Sequence, residues 1–295
     1  MPHSARRRAR NPPPHTTKRT QLPLADGWTL ITHSRSPSHA AAPRPPPPHH
    51  RAAAPGPAAP GLGVAALAAE YRRLRAQWRA TRCRAALAAL LERGGVCGGG
   101  GGGGGRAGAG LERAVCLAVG SLSRDWAGRA RSMWQFVVFM GVVEEARGRR
   151  SEGEGLAEEE GEQRVEAVAQ EPAFNALDEA FLASVGVRVV RAPEAQALLT
   201  PRTFLFAPFL EWRVLLGEVL RGRQPLLYVG NEVAVPEGLG AALGDGRGEY
   251  GAVVEAFRKG RTARPFPPFE LHQNALEGLM VYWKDDDEGD EGDGD

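Results

Sequence analysis

A glycine and two serines follow one strongly apolar segment of this chain. Residues 115–119 read Val-Cys-Leu-Ala-Val, and Gly120, Ser121 and Ser123 come next. After a strand of an α/β protein, such residues let the backbone bend around a nucleotide or S-adenosylmethionine and supply hydrogen-bond donors. Capping of the following helix is the other interpretation of the serines. The glycine fingerprint of dinucleotide-binding proteins is absent, because Ala118 stands where its first glycine would be.

A carboxylate follows a second apolar segment, residues 165–170. Glu171 comes directly after it, at the position that holds a ribose hydroxyl in related folds. The alternative is that residues 170–172 begin a helix, with Pro172 in its first turn and Glu171 facing the helix dipole. Both interpretations can hold together.

Two further strand ends carry polar residues. Glu211 and Trp212 follow the segment 203–207, and could supply a carboxylate and a stacking surface or be a helix acid and a core residue. Because parallel strands end at one edge of a sheet, we predict a single crevice there. The predicted cofactor-binding residues are Gly120, Ser121, Ser123, Glu171, Pro208, Glu211, Gly230 and Asn231. We expect Gly120→Val to abolish ligand-induced stabilisation with little change in the unliganded melting point, and Glu171→Ala to weaken binding.

Catalytic devices based on histidine have few residues to draw on. Six of the 7 histidines lie within the first 50 residues, which leaves His272 for the rest of the chain. A Ser-His-Asp triad or a histidine-based zinc site is therefore not expected. P-loop, kinase and nucleophile-elbow motifs are also missing. We predict no catalytic residues and no metal site.

The pattern between these residues alternates strands with helices. Unbroken apolar segments at 115–119, 165–170, 187–190, 203–207 and 226–229 are separated by residues with helical spacing. Strands of this kind need crossover connections, so we predict an α/β fold: a Rossmann-like three-layer domain with a mainly parallel sheet. Before it, apolar residues at 64–78 and 87–91 form a helical stripe opposite an arginine face, which indicates a packed surface helix or a basic platform for an acidic partner.

Low-complexity segments interrupt this domain. Their composition has too little apolar surface to offset the entropy of ordering. We predict a disordered basic and proline-rich leader at 1–61 with a short Asp-Gly-Trp-Thr motif at 26–31, an α/β domain at 62–283 and a disordered acidic tail at 284–295. Insertions at 98–110 and 147–163 are expected to be disordered and dispensable.

Charge and cysteine usage bear on the partners and the compartment. The net charge is +2, and the abundance of arginine together with alanine, glycine and proline indicates a GC-rich coding sequence, which raises the arginine content without selection for phosphate. We therefore expect protein partners and no nucleic acid. The 3 cysteines form no paired motif, which fits a reducing compartment. No apolar run has the length of a membrane span, and the basic patch at 6–10 favours cytoplasm with nuclear access.

Four motifs in order resemble one known family. They are Val115-Cys-Leu-Ala-Val-Gly-Ser-Leu-Ser123, Gln170-Glu-Pro-Ala-Phe174, Thr203-Phe-Leu-Phe-Ala-Pro-Phe-Leu-Glu-Trp212 and Val229-Gly-Asn231. Together they resemble the Sensitivity to Red Light Reduced (SRR)-like domain over 111–283, and the motif at 26–29 with Tyr282-Trp283 resembles its fungal branch. The resemblance implies a cytoplasmic and nuclear regulatory protein without an established catalytic activity.

The resemblance also implies a biological role, and this sequence departs from the family at three positions. Members of the family are linked to light and clock input in plants and to heme-biosynthesis or cytoskeletal phenotypes elsewhere. The family usually has glycine at Ala118, histidine at Phe209 and aspartate at Glu171. We therefore expect a regulatory protein that senses a nucleotide-like ligand in the crevice; the alternatives are an S-adenosylmethionine-type methyltransferase and a non-catalytic scaffold. A pocket beside Gly120 and Glu171 would favour the first two, and a crevice filled by side chains the third.

Overall fold

The computed structural model describes residues 18–23, 29–34, 55–96, 110–151, 165–236 and 246–285. The chain divides into two compact units, Met1–His49 and His50–Asp295. In the first unit, β1 (Lys18–Pro23) and β2 (Thr29–Ser34) pair antiparallel, with Lys18 opposite Ser34 and Pro23 opposite Thr29. Part of the leader predicted to be disordered therefore forms a hairpin, whereas residues 26–28 of the Asp-Gly-Trp-Thr motif lie outside the described residues.

The second unit is built on a seven-stranded, mostly parallel sheet, as predicted. Its spatial order is β5-β4-β3-β6-β7-β9-β8. The strands are β3 (Arg113–Leu117), β4 (Glu166–Gln170), β5 (Val187–Val189), β6 (Thr203–Ala207), β7 (Leu227–Gly230), β8 (Arg261–Pro265) and β9 (Met280–Lys284). β3 to β7 pair parallel, and β9 runs antiparallel to both of its neighbours, β7 and β8. The predicted α/β class is confirmed.

Helices cover both faces of this sheet. They are α1 (Val64–Arg79), α2 (Arg82–Arg93), α3 (Arg129–Ser151), α4 (Ala176–Ser184), α5 (Glu194–Ala197), α6 (Trp212–Val214), which continues into a π-helical turn at Leu215–Val219, α7 (Gly246–Arg258) and α8 (Gln273–Leu276). The side chains of β3, β4, β6, β7 and β9 alternate between two buried clusters. Phe204 and Phe206 of β6 face the α1–α3 side, and Leu205 and Ala207 face the α5–α7 side. Burial on both faces explains why β6 is apolar from Phe204 to Ala207.

Several boundaries differ from the sequence prediction. The stripe at 64–91 is two helices, because Thr81 accepts a hydrogen bond from the Arg84 amide and starts α2 as its N-cap. β3 ends at Leu117 and not at residue 119, because Ala118 turns to a φ of 57°. α3 continues to Ser151, so the first residues of the 147–163 insertion are helical.

Part of the predicted leader packs against the domain. The Ala59 amide donates to the Ser123 carbonyl at 2.8 Å, and the Asn175 side-chain amide donates to the Gly56 carbonyl at 3.1 Å. Ala58 also forms an isolated β-bridge with Arg124. These contacts place residues 55–61 beside the loop that follows β3. Composition alone assigned them to a disordered leader, since their backbone hydrogen bonds are not visible in the sequence.

Candidate functional site

The sheet changes its direction of growth between β3 and β6. The chain proceeds from β3 to β4 and β5 on one side, then returns to place β6 on the other side of β3. In open α/β sheets the ligand crevice lies outside the carboxyl ends of the strands at such a switch point. The loops after Leu117 and after Ala207 therefore form its two walls, and the β4 loop borders it.

Both walls contain a residue in the left-handed backbone region. Ala118 has a φ of 57° and Phe209 a φ of 54°. Residues with a Cβ rarely adopt this conformation, and strained residues of this kind cluster at functional sites. The Phe209 ring is 44 % exposed. The loop after β6 therefore holds a strained residue whose apolar ring points into solvent.

Gly120 and Glu171 are in direct contact. The Gly120 amide donates to Glu171 Oε2 at 3.1 Å, and the Ala173 amide donates to Glu171 Oε1 at 2.9 Å. α4 begins only at Ala176, with Asn175 as its N-cap, so the alternative that Pro172 lies in a first helical turn is wrong. Glu171 instead links the loops after β3 and β4. Each carboxylate oxygen keeps a second lone pair that can accept a ligand hydroxyl.

The backbone at Gly120 is already covered. Its φ is 75°, and a Cβ there would lie 2.9 Å from both Ser132 Oγ and Cζ2 of Trp126. A valine would be strained and would clash with both side chains. The expectation that Gly120→Val leaves the unliganded melting point nearly unchanged is therefore wrong.

Ser121 and Ser123 serve the packing of α4. Ser121 Oγ donates to Asp178 Oδ2 at 2.7 Å, and Ser123 Oγ donates to Asn175 Oδ1 at 3.0 Å. Asp178 also accepts from the amides of Leu122 and Asn175, both at 3.0 Å. Neither serine caps α3, which begins at Arg129. The side chains of Ser121, Ser123 and Asp178 are all buried.

Asp178 and Asn175 were missed by the sequence argument. Together they form a capping box at the start of α4, in which each side chain accepts a hydrogen bond from the other's backbone. The spacing Asn-x-x-Asp was a visible signal of this cap. Asp178 also holds the loop after β3 through Ser121 and Leu122. These partners precede Asp178 by 57 and 56 positions in the sequence, so no local pattern indicates the contact.

Asn231 holds the loop after β6. Its Oδ1 accepts from the Phe209 amide at 3.0 Å, and its Nδ2 donates to the Leu210 carbonyl at 2.7 Å. Glu211 is the N-cap of α6 and accepts from the Val214 amide at 3.3 Å. Pro208 is buried between these residues and β6. Three of the predicted site residues thus shape the second wall of the crevice.

Gly230 is fixed by packing at the end of β7. A Cβ there would clash with the Tyr228 hydroxyl and would lie 2.6 Å from the Ala207 carbonyl. The Tyr228 hydroxyl donates to the Asn231 carbonyl at 3.1 Å. Burial raises the pKa of Tyr228 well above its ordinary value of 10.0, so this hydroxyl keeps its proton.

Two aromatic rings and an arginine lie together in front of the switch point. The guanidinium of Arg131 is 5.9 Å from the centroid of Trp126 and 5.7 Å from that of Phe209. Trp126 Nε1 donates to the Ser121 carbonyl at 3.1 Å, and its ring lies against Gly120 and Gly128. Trp126 and Arg131 are not among the site residues predicted from the sequence. They follow a long loop whose path the local pattern does not predict.

Burial raises the pKa of both cysteines that the structure describes. Burial, and secondarily the charge of Glu171, raises the pKa of the Cys116 thiol well above its ordinary value. Burial, and secondarily Glu270, raises the pKa of Cys83 to about 12. Neither thiol is therefore a ready nucleophile. Among the described residues, no cluster of three or more His, Cys, Asp or Glu side chains could hold a metal ion, and no helix is long and apolar enough to cross a membrane.

A family model of the SRR1 domain matches residues 88–283, from the middle of α2 to the end of β9. The match covers more than half of the chain, including every loop of the crevice. The chain belongs to the SRR1 domain family. No curated protein matches the chain, and no solved structure matches it.

Ala118 and Phe209, the two departures from the residues that the sequence resemblance implies, both lie at unusual backbone positions. The sequence resemblance expects glycine at the first position and histidine at the second, and both residues have a positive φ. Glycine adopts this conformation without strain, so alanine at 118 carries a cost of about 1–2 kcal/mol that glycine avoids. At 209, a phenylalanine that is 44 % exposed stands where the resemblance implies histidine.

Proposed function

We propose that this SRR1-domain protein is regulatory, and that it senses a nucleotide-like ligand in the crevice between the loops after β3 and β6. By family resemblance, its processes would be circadian or light signalling, heme biosynthesis or cytoskeleton-linked regulation. The proposal includes protein partners and a cytoplasmic and nuclear location. The basic patch at 6–10 motivates the nuclear part.

One observation carries the ligand-binding part of the proposal. The two left-handed residues, Ala118 and Phe209, lie on opposite walls of the same switch point. Each costs free energy that the fold must supply elsewhere, and such cost persists where geometry serves a ligand. The exposed ring of Phe209 supports the same interpretation, since a flat ring at a crevice mouth can stack on a base.

The polar groups of the crevice support binding over catalysis. Both oxygens of Glu171 accept backbone amides, Glu211 caps α6, and the side chain of Asn231 holds the opposite loop. Such groups fix the shape of a site and orient a ligand. A proton-transfer role would have been natural for a histidine at 209, where this chain has phenylalanine.

A thermal-shift panel tests the proposal. Adenine nucleotides, S-adenosylmethionine and heme are each added to the full chain, and we expect one nucleotide to raise the melting temperature. Phe209→Asn should abolish this rise without destabilising the free protein, because asparagine tolerates a positive φ. Leu271→Asn is the matched control, since Leu271 is also 44 % exposed. If the nucleotide raises the melting temperature of both variants equally, Phe209 is not part of the binding site.

A second candidate is an S-adenosylmethionine-type methyltransferase. The strand order of the sheet favours it. β3 and β6 lie near the centre of the sheet, and the antiparallel strand β9 lies between β7 and β8 at one edge. A Rossmann-like sheet with a reversed strand inserted near this edge is the arrangement such methyltransferases use. Stabilisation by S-adenosylmethionine without stabilisation by nucleotides would support this candidate over the first.

The third candidate, a non-catalytic scaffold, is favoured by the Trp126 ring. It covers the backbone at Gly120, which a ligand would otherwise approach. Arg72, Arg73 and Arg79 of α1 are exposed and could contact an acidic partner. If no compound in the panel changes the melting temperature, this candidate replaces the first two.

A further inference from the structure

The N-terminal turn of α3 holds hydrogen-bond donors that the protein does not use. Within the described residues, the amides of Ala130 and Arg131 donate no hydrogen bond, whereas those of Arg129 and Ser132 donate to the carbonyls of Trp126 and Gly128. α3 is 23 residues long. The first amides of such a helix and its dipole favour an anion.

A buried hydroxyl in the same turn points independently to a ligand. Ser132 is 0 % exposed, and its Oγ has no hydrogen-bond partner among the described residues. The hydroxyl faces the loop after β3, because it lies 2.9 Å from the position of a Cβ on Gly120. An unpaired buried hydroxyl costs about 1–3 kcal/mol, which a ligand oxygen could recover.

Arg131 adds a positive charge at the mouth of this turn. Its guanidinium lies beside the rings of Trp126 and Phe209 and has no acidic partner within the described part of the chain. On the β4 side, the Glu171 carboxylate accepts a hydrogen bond from the Gly120 amide. Ser132 of α3 and the acceptor Glu171 thus both lie against Gly120.

We propose that the ligand of the crevice is a nucleoside phosphate whose phosphoryl group binds at the α3 anion site: the amides of Ala130 and Arg131, the Arg131 guanidinium and Ser132 Oγ. This inference rests on the proposed function and names the chemical class of its ligand. Glu171 then accepts a ribose hydroxyl, as acids do after the second strand of related folds. The two amides, the hydroxyl and the guanidinium suit a phosphoryl group, which carries three terminal oxygens and up to two negative charges.

Trp126 must respond when this site fills. Its ring lies against Gly120 and Gly128, in front of Ser132. A phosphoryl group that reaches Ser132 Oγ displaces the indole, which is already 37 % exposed. Tryptophan fluorescence therefore reports occupancy. Trp126→Phe should remove the signal, and Trp212→Phe should keep it, because Trp212 packs edge-on against Tyr250 of α7 at 5.2 Å.

The test compares AMP, ADP, adenosine and S-adenosylmethionine by calorimetric titration of the full chain. We expect AMP and ADP to bind at least about tenfold more tightly than adenosine, as the loss of charged hydrogen bonds implies. Ser132→Ala should weaken AMP binding several-fold, leave adenosine binding unchanged, and not lower the melting temperature, since it removes an unsatisfied group. Arg131→Gln should act in the same direction, and Arg73→Gln, on the exposed face of α1, is its control.

The outcomes separate this inference from the proposed function. Equal affinities for AMP and adenosine, or normal AMP binding by Ser132→Ala, would overturn the phosphate site while the crevice remains a ligand site. Binding of S-adenosylmethionine alone would do the same in favour of the second candidate. No binding by any of the four compounds would overturn both.

Discussion

The carboxylate of Glu171 accepts the backbone amide of Gly120 at 3.1 Å and joins the loops that follow two neighbouring parallel strands. The two residues are 51 positions apart in sequence. A carboxylate in this position fixes the shape of the crevice before any ligand arrives.

Glu171→Ala should lower the free energy of unfolding by about 1–3 kcal/mol, because the amides of Gly120 and Ala173 lose their acceptor. Urea denaturation measures the change. Glu171→Gln keeps one carbonyl acceptor and should lose less. If Glu171→Ala unfolds at the same urea concentration as the unchanged protein, the carboxylate does not hold these loops.

Asp178→Ala should be more damaging, with a loss of about 2–4 kcal/mol, because three buried or half-buried donors lose a charged acceptor. The neighbouring Glu179→Ala is the matched control. Glu179 forms a surface ion pair with Arg191, and its loss should cost less than about 1 kcal/mol. Similar losses in both variants would contradict the buried network.

Ala118→Gly should stabilise the protein by up to about 1 kcal/mol, because glycine adopts the φ of 57° without steric strain. The melting temperature measures this gain. Ala180→Gly, on the exposed face of α4, should show the opposite sign and lose about 1 kcal/mol. A lower melting temperature for Ala118→Gly would mean that residue 118 is not strained.

Glu166 should make stability depend on pH. Hydrogen bonds from Arg113 at 2.7 Å and from Arg188 at 2.9 Å lower the pKa of Glu166 below its ordinary value of 4.5. The folded protein then binds the proton less readily than the unfolded chain, so the contribution is complete above 4.5 and is lost as the pH falls through the lowered pKa.

Urea denaturation of the unchanged protein and of Glu166→Gln between about pH 6 and pH 3 tests this dependence. The stability difference should be less than about 1 kcal/mol near neutrality, because the pair is partly exposed, and should shrink in the acid range. A difference that grows as the pH falls would contradict the assignment.

Deletion of residues 98–105 and 152–163 should leave the melting temperature within a few degrees. Shorter surface connections change the loop-closure entropy only slightly. The deletion spares 147–151, which belong to α3. A collapse of soluble yield would mean that one of these segments packs on the domain.

The sequence by itself determined the central sheet. Apolar segments such as Thr203–Ala207 are buried on both faces, so they cannot alternate, and the helical spacing between them requires parallel crossovers. β8 escaped prediction because its residues, Arg261–Pro265, are largely exposed and have no apolar pattern. Hydrophobic periodicity in the sequence reflects the burial of side chains, and none of the side chains of this edge strand is fully buried.

Only the tertiary structure decided what the strand-end residues do. Ser121 could equally have bound a ligand, but the approach of Asp178 gives it a buried acceptor. Trp126 covers Gly120 because the loop before α3 folds back on itself. The first contact joins residues 57 positions apart, and the second depends on the path of a loop that no local pattern predicts. The pattern of residue types therefore located the crevice. Packing decided which of its polar groups already have a hydrogen-bond partner within the protein.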